Sequence, residues 1–284
     1  MIKFEGLTRE SALELLNAPT PAIIKDYYNT PYPVSDEQIE YYQENGFIKV
    51  TKILAGDALK YARKVIQAAV LLRKEHDKRV LSEKSQYEQS FLQCGYLCFD
   101  FPAVKDVVFS ERLAGIGRDL MKVKNIRLWH DQALFKEPGG RPTDVHQDSS
   151  YWPVKEPEFT TTIWMAMNDV PVEKGSLYFY PGTHKPGLRE YIDIFKNPHF
   201  PDSLDPQNNV KVPLLAGDAT FHSGLTFHGA GGNNTNEMRE GMTIIYTKDG
   251  SHFDASDARN ATHKSCNGLT DGEIINTEYT PVLA

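Results

Sequence analysis

A mainly β protein with flanking helices, built as an all-β barrel or jelly roll, is the fold class this chain predicts. Three observations carry that reading. The first third has helical periodicity, the period changes near residue 126, and turn material then separates short apolar runs. Ser35-Asp36-Glu37-Gln38 supplies a cap and first-turn acids for a short helix ending at Gly46. Residues 56–77 carry apolar side chains at 59, 62, 66, 69, 70 and 72, a helical stripe. A third helix is predicted over 103–122, ending in basic residues.

From 126 to 135 the chain alternates roughly and runs into the turn Pro138-Gly139-Gly140. Further strands are predicted over 161–168, 176–180, 214–222 and 242–247. Glu173-Lys174-Gly175, Pro181-Gly182 and Ala216-Gly217-Asp218 are the turn material around them. Residues 185–212, rich in Pro, Asn and Asp, break the pattern and read as an excursion, a lid over the barrel mouth. The expected organisation is one domain over 1–284. Residues 1–125 form a mostly helical support, 126–250 the β core and 251–284 a tail.

Composition narrows the function classes. A chain of 284 residues that is 40% hydrophobic can fill the core of one closed β unit. A net charge of −7 with no basic stripe argues against nucleic acid as a partner. No window approaches the roughly 20 apolar residues that cross a bilayer. The N-terminal MIKFEGLTRESALELL lacks the apolar core of a signal peptide, and the C-terminal Pro-Val-Leu-Ala carries no address. Cys94, Cys98 and Cys266, an odd number, fit free thiols in a reducing compartment, the cytoplasm. Cys94 and Cys98 have no second pair and read as core thiols rather than a zinc site. The sequons at Asn233 and Asn260 are then expected to stay unmodified. Monomer and homodimer both remain open.

The densest chemistry is His146-Gln147-Asp148, with His228 following His146 by 82 positions and Arg239 eleven further on. In extended chain, residues i and i+2 share a face, so His146 and Asp148 aim at one point. An imidazole from a distant strand would complete two histidines and a carboxylate on one side of a metal. Open positions opposite are the arrangement of non-haem Fe(II) oxygenases. Arg239 offers a planar fork for a carboxylate, which suggests a keto-acid cosubstrate. The bland alternative is a pair of core histidines and a capping Asp, but an unpaired buried Asp costs several kcal/mol. For Arg239 the alternative is a surface salt bridge to Glu237 or Glu240. His222 competes with His228 as third ligand but lacks its glycine-rich sequel. His252-Phe253-Asp254 has the same form as the first triplet. Only His263 follows it, in polar, turn-rich sequence, so that triplet reads as a surface loop.

The segments TDVHQDSSYWPV, TTIWMAMNDVPVEKGSLYFYPGTHK and GDATFHSGLTFHGAGGNNTNEMR resemble the phytanoyl-CoA dioxygenase family of Fe(II)/2-oxoglutarate oxygenases. GFIKVTKIL at 46–54 resembles the beginning of the family's domain. The resemblance implies a double-stranded β-helix, a cupin-like jelly roll holding iron at its open end. It implies His146, Asp148 and His228 as iron ligands and Arg239 as partner of the distal carboxylate of 2-oxoglutarate. Trp164 matches a tryptophan lining the cosubstrate pocket, which would otherwise be a core residue. Lys136 matches a lysine just before the iron strand, which would otherwise be solvated. A serine often found two residues after the distal histidine is replaced by Ala230, and Thr243, in strand register with Arg239, is proposed to substitute in part.

The implied reaction takes Fe(II), 2-oxoglutarate and O2. It hydroxylates an unactivated C–H bond of a small metabolite or natural-product intermediate and releases succinate and CO2. Halogenating relatives replace the Asp148 carboxylate with a small residue; its presence here favours hydroxylation, or a follow-on desaturation or cyclisation. Tyr151 and Trp152, next to the iron segment, are candidate substrate walls, and His130 and Gln132 are either pocket wall or core hydrogen-bonders. Two other classes remain. A cupin-like metalloenzyme without 2-oxoglutarate would not need Arg239, and an inactive binding module would have lost a ligand.

Overall fold

The computed structural model describes residues 3–256 and 263–284, so the Asn260 sequon lies outside the described residues. The chain opens on α1 (Arg9–Asn17), α2 (Ala22–Asn29) and α3 (Asp36–Asn45), then β1 (Phe47–Val50) and α4 (Gly56–Arg73). α5 (Gln86–Ser90), β2 (Leu92–Gly95), α6 (Leu97–Asp100), α7 (Pro102–Val108) and α8 (Glu111–Met121) follow. α3 starts on a capping box, the Ser35 hydroxyl accepting from the Gln38 amide while the Gln38 side chain accepts from that of Ser35. It ends where Gly46 turns left-handed at φ 76°; a Cβ there would strike His184 and Thr226. The single helix predicted over 103–122 is two. It breaks at Phe109 and restarts where the Ser110 hydroxyl caps the Leu113 amide.

The strands after 125 are β3 (Ile126–Phe135), β4 (Thr143–His146), β5 (Thr160–Ala166), β6 (Leu177–Phe179), β7 (Val210–Val212), β8 (Ala219–Ser223), β9 (His228–Ala230) and β10 (Gly241–Lys248). They form a six-stranded sheet ordered β1-β8-β5-β10-β3-β2 and a four-stranded sheet ordered β4-β9-β6-β7, both antiparallel. This is the double-stranded β-helix expected from the sequence. The helical first third also supplies both edge strands of the larger sheet, and the 185–212 excursion ends in an edge strand of the smaller one. β8 starts at Ala219 rather than 214 because Leu214 bridges to Val170 and the chain then turns through Gly217 at φ 88°.

Alternation divides the large sheet into two faces. Ala133, Phe135, Ile163, Met165, Phe221, Met242 and Ile244 point at the helices and join the main core. Burying each of the larger side chains among them stabilises the fold by about 1.5–3 kcal/mol. The opposite face presents Gln132, Thr162, Trp164, His222 and Thr243 to a cavity between the sheets. β3 alternates only roughly because it carries a bulge. Ile245 pairs with His130 and Tyr246 with Leu128, leaving Trp129 as the extra residue and reversing the parity on either side. The tail is also part of the domain, since the Ile126 amide donates to Ala284 O (2.7 Å) and the Leu283 amide to Ile126 O (3.0 Å). Cys94, Cys98 and Cys266 are buried free thiols. Asn233 is buried, its amide donating to Lys136 O (3.1 Å) and Glu237 O (2.7 Å). Among the described residues no helix is long and apolar enough to cross a membrane.

Candidate active site

Ladder pairing brings the first two imidazoles together. His146 at the end of β4 faces His228 at the start of β9, ring centroids 4.4 Å apart. Asp148 opens a short 3-10 turn after β4. Its Oδ1 lies 3.3 Å from His146 Nε2 and 3.7 Å from His228 Nε2. Both rings are oriented from behind by the same device. His146 Nδ1 is 2.8 Å from Asp144 O and His228 Nδ1 is 3.0 Å from Thr226 O. A carbonyl can only accept, so each Nδ1 carries a proton and each Nε2 is the nitrogen turned toward the carboxylate. The carboxylate is fixed in turn: Thr162 Oγ1 donates to Asp148 Oδ2 at 2.8 Å, and His222 Nε2 approaches it at 3.2 Å. Such outer partners orient the ligands of metal sites.

Among the described residues His146, Asp148 and His228 form the one cluster whose donor atoms all lie within 4.8 Å of one another. His222, the rival third ligand, supports Asp148 from the far side. Burial opposes ionisation of Asp148, but the imidazoles of His228, His146 and His222 around it outweigh that and hold the carboxyl well below its usual range. Burial, reinforced by His222, pushes His228 well below the ordinary imidazole range, leaving it neutral.

The cavity is about 550 Å³, and Arg239 forms part of its wall. The surface salt-bridge alternative fails. Arg239 is only 1% exposed, Glu240 is taken by Arg63 (2.7 Å) and Glu237 by Lys174 (2.5 Å). The guanidinium stacks on Trp164, 5.1 Å from the ring centre, and donates Nη1 to Gly175 O (2.8 Å) and Nη2 to Leu134 O (3.3 Å). Its Nε is buried without a partner. Burial of this uncompensated cation lowers its pKa to about 9. Gly241 allows Trp164 to lie there, because a Cβ at 241 would meet the indole at 2.3 Å.

Thr243 sits between Gln132 and Trp164 in the ladder and lines the cavity, its hydroxyl donating to Gln132 O at 3.1 Å. Ala230 and Gln132 also line it, as do His130, Tyr151 and Trp152. Lys136 is placed differently. It is neither solvated nor part of the cavity wall, being wholly buried with Nζ on Arg141 O (2.6 Å) and Thr143 Oγ1 (3.4 Å). Burial, with Arg239 and Arg141 nearby, pushes it down to about 6. It braces the turn beneath Arg239, bridging to it through the main chain.

The excursion contributes Tyr191, Asp193, Ile194, Phe195 and Lys196 to the wall, and two residues of the metal segment hold it there. Gln147, fully buried between the two ligand positions, donates to Leu225 O (2.6 Å) and Gly187 O (3.1 Å) and accepts from the Arg189 amide (2.9 Å). The Tyr151 hydroxyl donates to Ile192 O at 2.5 Å. Gln147→Leu strands one amide and two carbonyls, so a loss of about 2–4 kcal/mol is expected. Hydrogen exchange at the Arg189 amide should rise by more than the global destabilisation explains; equal protection in the variant refutes the tether.

Sequence reasoning missed several wall residues, Tyr87 and His263 among them. Tyr87, from α5, reaches the cavity beside Phe195, the two ring centres 4.5 Å apart. His263, from the tail, reaches it stacked on Trp129 at 4.7 Å. The His252-Phe253-Asp254 triplet is a tied loop rather than a free one. Phe253 is buried and His252 Nδ1 is 2.7 Å from Glu156 Oε1.

The family described as Phytanoyl-CoA dioxygenase (PhyH) matches residues 42–241. A probable alpha-ketoglutarate-dependent hypophosphite dioxygenase of Stutzerimonas stutzeri is 23% identical over 225 residues, covering 74% of this chain and 77% of that protein. The peroxisomal phytanoyl-CoA dioxygenase of Homo sapiens is 26% identical over 238 residues, covering 76% and 69%. In fold, the chain is similar to the non-heme alpha ketoglutarate dependent carbocyclase SnoK from nogalamycin biosynthesis, with a TM-score of 0.74 at 24% identity over 90% of this chain and 100% of that one. The epimerase SnoN, solved with Fe3+, alpha ketoglutarate and nogalamycin RO, gives 0.72 at 23% over 88% and 98%.

Proposed function

The chain belongs to the phytanoyl-CoA dioxygenase family, and from that membership we propose that it is an Fe(II)- and 2-oxoglutarate-dependent oxygenase of a small metabolite. The reaction couples oxidation of 2-oxoglutarate by O2 to succinate and CO2 with insertion of one oxygen atom into an unactivated C–H bond. One observation carries the reading: a preoriented two-histidine, one-carboxylate cluster shares a cavity with a buried arginine that has no carboxylate partner among the described residues.

The residues present fit the implied groups. Two neutral imidazoles and a carboxylate suit iron(II), and His146, Asp148 and His228 would hold it. Bound there, the metal supplies the open positions for keto-acid chelation and oxygen activation that no side chain offers. Arg239 would grip the far carboxylate of 2-oxoglutarate, its orphan Nε gaining an acceptor, with Trp164 fixing the plane of the fork. Thr162 and His222 hold Asp148 in one rotamer, so the ligand set does not rearrange on loading. Tyr151 and the 187–197 segment close the mouth against water. The domain acts as a unit, the N-terminal helices buttressing the large sheet and the excursion serving as its lid.

The Thr243 hydroxyl can reach a keto-acid carboxylate only by leaving the Gln132 carbonyl. Thr243→Val should then raise the half-saturating 2-oxoglutarate concentration by about three- to tenfold, the effect of one hydrogen bond. An unchanged value means that the hydroxyl stays on Gln132. Three buried thiols support a reducing, cytoplasmic location, and we take the protein as a monomer or isologous homodimer, which sedimentation decides.

Anaerobic titration of the Fe(II) protein with 2-oxoglutarate tests the reading. A weak visible charge-transfer band should grow to one equivalent. No band with iron fully loaded returns the site to a cupin-like metalloenzyme or a binding module.

A further inference from the structure

Away from the metal cluster and Arg239, the cavity wall carries a run of rings beside Gln93, Gln132, Leu177 and Ile194. Tyr87 meets Phe91 edge-on at 4.9 Å, and Tyr151 meets Tyr191 and Phe195 edge-on at 5.5 and 5.6 Å. Trp152 continues this wall toward His130, their centroids 6.2 Å apart. Rings packed edge-to-face hold one another in place, which gives a stiff wall suited to flat partners. Charge is scarce. Besides Asp148 and Arg239, the wall's only carboxylate and ammonium among the described residues are Asp193 and Lys196. Asp193 accepts from the backbone amides of Phe195 and Lys196, 3.1 Å each. A single lysine cannot match the several phosphate charges of a nucleotide-bearing thioester.

The wall also carries a polar pair, His130 and His263, with ring centroids 5.0 Å apart. The Ser265 amide donates to His263 Nδ1 at 3.4 Å, and the Tyr96 hydroxyl lies 2.9 Å from the same atom and 3.4 Å from Nε2. With Nδ1 an acceptor, the neutral ring carries its proton on Nε2 and offers a donor there. Stacking on Trp129 fixes the ring plane. His130 is 7% exposed and its Nδ1 is buried with no partner among the described residues. Burial lowers His263 to about 4 and, with His263 alongside, holds His130 well below its usual range, so the pair offers hydrogen bonds without charge.

We propose that the substrate is an uncharged, planar aromatic molecule bearing a carbonyl or phenolic oxygen. Its rings stack against Tyr151, Trp152 and the lid, and its oxygen accepts from His263, with His130 beside it. The proposal takes from the oxygenase reading only where the substrate sits.

Equilibrium dialysis of the Fe(II) protein with 2-oxoglutarate under argon tests this without turnover. The probes are flavone (a neutral planar ketone), decanol (a neutral chain) and decanoyl-CoA (an anionic thioester). Flavone should be retained at a concentration at least tenfold lower than either chain. His263→Phe, which keeps the stacking and removes the donor, should weaken flavone about five- to tenfold and leave decanol unchanged. Tighter retention of decanol or decanoyl-CoA by the unmodified protein overturns the proposal, whether or not any variant folds. Equal flavone retention by His263→Phe and the unmodified protein overturns the assignment of the donor. Flavone bound selectively in a sample that shows no keto-acid band supports the ring preference while refuting the oxygenase reading.

Discussion

Asp148→Gly is expected to leave less than about one per cent of substrate-coupled succinate release. Loss of even an outer partner of a metal ligand costs 10–100-fold, and this change removes the ligand itself. No neighbour can replace it. Asp144 is engaged by Arg141 at 3.0 Å, and Thr162 and His222 would be left facing an empty position. Iron retention against a chelator, measured with succinate release, separates lost metal from lost chemistry. Full activity in the variant refutes the assignment of Asp148. Adding chloride to the variant, as an anion for the vacated position, also tests whether hydroxylation depends on this one group.

Arg239→Ala is expected to raise the half-saturating 2-oxoglutarate concentration about 30- to 5,000-fold, the range for truncating one partner of a buried charge pair. The unliganded fold should change little. The variant loses two carbonyl bonds and the stacking on Trp164, but it also relieves a buried cation that has no countercharge. The clearest readout is therefore differential. The rise in Tm that 2-oxoglutarate gives the metal-loaded wild type should vanish in the variant while the unliganded Tm stays near its value. Arg239→Lys should not rescue binding, since an ammonium lacks the planar fork. Wild-type affinity in either variant sinks the cosubstrate role.

The parts of the fold legible in the sequence are those specified locally. Ser35, Gln38 and Gly46 bound α3 where the caps demand, and β3 and β10 span the alternating runs almost residue for residue. β1 and β2 were not legible. Each is four residues long, and their partners are Ala219–His222 and Gln132–Phe135, an alignment no local period encodes. The break at Phe109 and Ser110 escaped because the apolar stripe continues across it. In the site, the spacing of His146, Asp148, His228 and Arg239 was enough to bring them to one cavity. Lys136 misled because its sequence position, at a strand end, says nothing of the main-chain carbonyls that its ammonium meets. His263 was set aside as polar loop; its role in the wall depends on Trp129, the bulged residue, and a bulge is visible only once two strands are paired.

The tether through Gln147 links two clocks. One side chain joins the His146–Asp148 segment to the start of the lid at Gly187 and Arg189, and also to Leu225 on the loop that leads into His228. The proposed lid cannot swing clear there without releasing the residue that lies between His146 and Asp148. Residence of the metal and exchange of small molecules through the mouth therefore share one opening event. Conditions that hasten product escape should also hasten leakage of the ion, in proportion.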